Sequence, residues 1–93
     1  LEADASDAAS HCARGMALYR LGRAEEAERA LACAVALSPE NPAIRTQLGR
    51  LYCGTRRWAE AVSHLEAALV SDRDSVEAKA LLDYALEKRG QAR

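Results

Sequence analysis

Identical residues recur along this chain at an interval of thirty-four: Gly15 and Gly49, Ala27 and Ala61, Leu31 and Leu65, Ala34 and Ala68, with Glu26 and Glu60 in the same register. A fixed period of this length marks one supersecondary unit copied in tandem, which buries its apolar face only by stacking on its neighbour. Such an array offers a surface on which something else is held. Catalysis needs a nucleophile, an acid or a metal converging on one point, and no such cluster stands out. The chain therefore reads as a non-catalytic binding scaffold.

A chain of 93 residues suits one small domain, burying roughly 60–65% of the surface its unfolded form exposes. Aromatic residues make up only 4% and Phe is absent, which fits helices packed closely through Ala and aliphatic side chains rather than a sheet. The fold class is all-α. A net charge of −1 gives no surplus of Lys and Arg to release counterions from a nucleic acid, so no nucleic-acid partner is expected. Arg56-Arg57 reads as a solvated turn. The longest apolar run, Ala30 to Leu37, falls well short of the ~20 residues that span a bilayer, so no membrane insertion is expected. Lys confined to Lys79 and Lys88 beside abundant Ala and Arg fits a GC-rich coding sequence of bacterial type. A start at Leu1 rather than Met suggests a segment of a longer protein.

Cys12, Cys33 and Cys53 are odd in number and none forms a C-x-x-C, so reduced, mostly helix-packed thiols are expected. His11 and Cys12 are adjacent on a helix and point about 100° apart, which rules out a dyad. His64 has only Glu60 at helical spacing, an ordinary surface pair. No metal site and no cofactor are expected.

Apolar spacing predicts five helices. The first covers Ala8 to Leu21 behind Asp7 as cap and ends at Gly22; the second runs from Ala24 to Leu37 and closes at Ser38-Pro39. The third starts at Asn41-Pro42, an N-cap followed by Pro at the first helical position, and reaches Gly54. A fourth begins near Trp58 and stops at the polar run 71–74, and Ser75 caps a fifth. Asp7, Asn41 and Ser75 keep the thirty-four-residue interval. Gly15, Gly49 and the paired alanines remove bulk where two helices cross.

Leu48-Gly49-x-x-Tyr52, then Ala61-x-x-x-Leu65 and Ala68, resembles the tetratricopeptide repeat. The first copy fills the same slots with Gly15, Leu18, Ala27, Leu31, Ala34 and Pro39. The resemblance implies one domain over 1–93, with repeats at 8–41 and 42–75 and a capping helix or partial third repeat at 76–90. It departs from the pattern at His11 and Arg45 in the Trp slot, at Arg73 in the Pro slot, and at Arg14 in the slot of Leu48, which points to an open face on the first helix.

By that resemblance the helices form a short right-handed superhelix, with a concave face lined by the first helix of each repeat. The implied partner-binding residues are Met16, Tyr19, Arg20, Thr46, Arg50, Cys53 and Tyr84. Arg50 has no evident packing purpose on that face, whereas Trp58 reads as packing at the turn. One subfamily grips the C-terminal carboxylates of heat-shock chaperones with Lys, Asn, Asn, Lys and Arg; here those slots read Cys12, Met16, Gln47, Glu77 and Leu81, and Glu77 would repel a carboxylate. The expected partner is a protein or peptide of another kind. Alternatives are self-association through Leu81, Leu82 and Leu86, or a substrate-positioning segment of a larger enzyme or of a secretion or envelope-assembly protein.

Overall fold

The computed structural model describes residues 5–91 and contains five helices and no strand among them. These are α1 (Ala5–Arg20), α2 (Ala24–Leu37), α3 (Pro42–Gly54), α4 (Trp58–Ser71) and α5 (Val76–Gln91). The helices pack as antiparallel hairpins, α1 with α2 and α3 with α4, and α5 lies against α4 and α3. The result is an elongated slab of 45 × 30 × 17 Å.

The two hairpin turns are built alike. In the first, the Arg23 amide donates to the Leu18 carbonyl at 2.9 Å and Gly22 takes a φ of 82°. Thirty-four residues later the Arg57 amide donates to the Tyr52 carbonyl at 2.8 Å and Arg56 takes a φ of 63°. Each is a helix stop in which a left-handed residue lets the next amide reach back over the last turn. The connections between hairpins also match. Ser38 and Asp72 donate their amides to Ala34 and Ala68, at 3.0 and 2.9 Å.

Helix starts follow the sequence at two of three expected caps. Asn41 Oδ1 accepts from the Ala43 amide at 2.9 Å, and Ser75 Oγ accepts from the Ala78 amide at 3.1 Å. Asp7 differs: it lies within the first turn of α1, which already includes Ala5. No Pro or Gly interrupts 5–8, so the helical stretch continues through the expected cap, and Asp7 sits where a carboxylate suits the positive helix end.

The close crossings fall at the paired glycines. A Cβ on Gly15 would stand 2.7 Å from Leu31 Cγ, and one on Gly49 would stand 2.6 Å from Leu65 Cγ. Leu31 and Leu65 are among the largest fully buried side chains, and Ala27, Ala34, Ala61 and Ala68 have no exposed surface. One joint of glycine, leucine and alanine is thus used twice.

A polar seam ties the hairpins together. Tyr52 donates its hydroxyl to Glu28 Oε2 at 2.8 Å, and Arg57 Nη1 donates to Glu28 Oε1 at 2.6 Å. Arg57 also donates from Nε to Glu60 Oε1 at 2.9 Å and lies over the Tyr52 ring. Arg57 is therefore a structural residue, against the expectation of a solvated Arg56-Arg57 turn. The seam continues to His64, whose ring stacks on Tyr52 and whose Nδ1 accepts from Arg45 Nη1 at 3.1 Å. His64 is half-buried and held by α3, not an exposed partner of Glu60, because Glu60 is engaged by Arg57.

Candidate functional site

A cleft of about 470 Å³ is lined by Met16, Tyr19 and Arg20 from α1, Gln47 and Arg50 from α3, and Glu77 from α5. Four of the seven residues expected on the concave face meet there: Met16, Tyr19, Arg20 and Arg50. Arg50 does have a partner, contrary to the expectation, because Glu77 at the start of α5 forms an ion pair with it. Arg20 is exposed and makes no ion pair with any described residue.

Thr46 and Cys53, expected on the same face, are buried, at 4% and 7% exposure. Thr46 turns its hydroxyl back to the Pro42 carbonyl at 2.8 Å, satisfying it within α3. Cys53 lies beneath α5, with Sγ 4.0 Å from the Leu81 carbonyl, and burial pushes its thiol pKa up. Both are removed from the cleft because the neighbouring packing covers them.

Tyr84 lies elsewhere. It lines a separate recess of about 360 Å³ at the turn end of the slab, together with Arg56, Trp58 and Lys88 over a floor of Cys53 and Gly54. The Tyr84 and Trp58 rings meet edge to face at 5.7 Å. Tyr19 separates the cleft from this recess, with its hydroxyl set against Gly54. Gln47 and Glu77 line the cleft as well, outside the seven expected binding residues; both already stood in the chaperone-clamp slots.

Cys12 is half-buried and Cys33 exposed, and all three cysteines are free. The described residues hold no group of three or more His, Cys, Asp or Glu placed to bind a metal. Arg14 is exposed, as its unusual slot implied. Leu81 and Leu82 pack onto the chain's own core, which leaves Leu86 as the exposed member of the trio considered for self-association. None of the described helices is long and apolar enough to cross a membrane.

The family model for the tetratricopeptide repeat matches residues 18–83, well over half of the chain. The chain belongs to the tetratricopeptide repeat family. Among solved structures, this tetratricopeptide repeat chain is similar to the first such domain of Spaghetti (RPAP3) bound to the HSP90 peptide SRMEEVD. The TM-score is 0.89 at 20% identity, over 95% of this chain and 72% of that one. At that identity the likeness concerns the fold. No curated protein matches the sequence.

Proposed function

We propose that this tetratricopeptide repeat chain is a protein-interaction module that holds a partner's peptide or helix in the cleft between α1, α3 and α5. The observation that carries the reading is the convergence of Met16, Tyr19, Arg20 and Arg50 on one cleft. An apolar thioether, a phenol and a free guanidinium on one wall supply the mixture of anchors common in protein interfaces. Gln47 and the Arg50–Glu77 pair on the opposite side offer hydrogen bonds to an extended backbone. Cys12, Glu77 and Leu81 stand in place of the cations of the chaperone carboxylate clamp, which favours an internal segment over a free chain end. The solved relative's HSP90 peptide supports a peptide as the kind of ligand this fold accommodates.

Selection of a displayed peptide library on the immobilised chain tests this. Affinity for the selected peptide should fall by about tenfold or more in the Met16→Glu, Arg20→Glu variant. Far-UV circular dichroism should stay unchanged. Equal affinity in that variant would remove the cleft as the binding surface.

A further inference from the structure

The recess at the turn end of α3, α4 and α5 has a counterpart one repeat earlier, and the differences between them are informative. The corner between α1, α2 and α3 carries Gly22, Ala24 and Gly54, where the second corner carries Arg56, Trp58 and Lys88. Tyr19 fills the first corner against Gly54. Its equivalent in the second is Cys53, whose small side chain leaves space.

Arg56 is the more telling exchange. The turn demands a left-handed residue, which Gly22 supplies freely in the first repeat at a φ of 82°. The second repeat puts an arginine into the same conformation, at 63°, the one non-glycine residue with positive φ among those described. A side chain kept where the backbone disfavours one points to a role for that side chain. It stands at the rim of the recess, exposed, and forms no ion pair with any described residue.

Across the opening, Lys88 lies 5.6 Å from the Tyr84 ring centre. Trp58 and Tyr84 form the aromatic wall between the two cations, and no acidic side chain lines the space. Aromatic faces take an apolar side chain, and Arg and Lys on either side match carboxylates.

We propose that this recess is a second docking site, distinct from the cleft, for an acidic internal peptide segment that sets one apolar side chain against the Trp58–Tyr84 wall and its flanking carboxylates on Arg56 and Lys88. Charge complementarity selects this occupant, and a volume of about 360 Å³ admits one large side chain. The site needs no chain-end carboxylate.

Trp58 is the single tryptophan of the chain, so its emission reports on this recess without a label. The probe is the end-capped peptide acetyl-Glu-Glu-Leu-Glu-Glu-amide, titrated at low salt against the same peptide with Lys in place of each Glu. A saturable Trp58 shift is expected with the acidic peptide alone. Arg56→Gly restores the residue type of the first repeat, so it should keep or raise the melting temperature while weakening the peptide about tenfold or more; Lys88→Gln should weaken it too. The proposal is overturned if the acidic peptide gives no saturable shift, if the Lys peptide binds as well, or if Arg56→Gly binds like the parent. Peptide binding lost in Arg20→Glu but intact in Arg56→Gly would return the ligand to the cleft, keeping that reading and removing this one.

Discussion

His64 is neutral by placement. Burial lowers its pKa below the ordinary 6.5, and the positive Arg45 lowers it further, while Arg45 needs a lone pair on Nδ1 to donate to. The folded chain thus binds this proton less readily than the unfolded chain. Stability from this source is complete above pH 6.5 and declines as pH falls through the lower folded value. Glu28 and Glu60 follow at more acid pH, because the Arg57 hydrogen bonds hold both carboxyls below their ordinary 4.5. Tyr52 is moved the other way, pushed up to about 12 by burial and by its bond to Glu28, and stays protonated throughout. Melting temperature measured from pH 8 to 3 should begin to fall below about 6.5, and fall again below 4.5. His64→Gln should flatten the first fall and leave the second. An unaltered profile would show that His64 is not held neutral. None of this was legible in sequence: His64 pairs with Arg45 only because two helices cross there.

At the scale of the helix, the crossings explain why small residues recur. Ala61 has no exposed surface, and α3 approaches α4 through Gly49 with no room for a methyl group beside Leu65. Ala61→Leu should overpack this crossing and cost about 1–3 kcal/mol. Chemical denaturation reads that as a shift in midpoint, and an unshifted midpoint would contradict the close crossing. Helix limits were readable wherever a residue acts alone on its own backbone. Asn41 with Pro42, and Ser75, stop and start helices by local hydrogen bonds. Asp7 has the same local capacity, yet the residues before it are equally helical, so it lies inside α1. Thr46 and Cys53 show the opposite limit. The family resemblance put them on the partner-binding face, but their burial depends on how neighbouring helices cover α3.

Across the whole molecule, the interval of thirty-four residues carried the architecture, because each copy meets its neighbour through the same glycine, leucine and alanine positions. It could not show where the copies differ in use. Met16, Tyr19, Arg20 and Arg50 converge as the family resemblance implies, whereas Tyr84 falls into the recess that Cys53 leaves open. The seam is a further difference. Glu28 and Tyr52 meet between the hairpins, while one repeat later the same positions are Val62 and Leu86, an apolar pair. Copies this alike risk docking on the wrong neighbour during folding, since α5 packs on α4 in the place that α3 takes on α2. Glu28 discriminates against that error, because α5 seated on α2 would set the carboxylate against Leu86. Glu28→Val with Tyr52→Leu would make both joints apolar and interchangeable. Refolded at high concentration and separated by size, that variant should yield a larger share of exchanged dimer than the parent, and an unchanged share would refute the discrimination. A hydroxyl, a carboxylate and a guanidinium thereby give each hairpin an address that the duplicated sequence lacks.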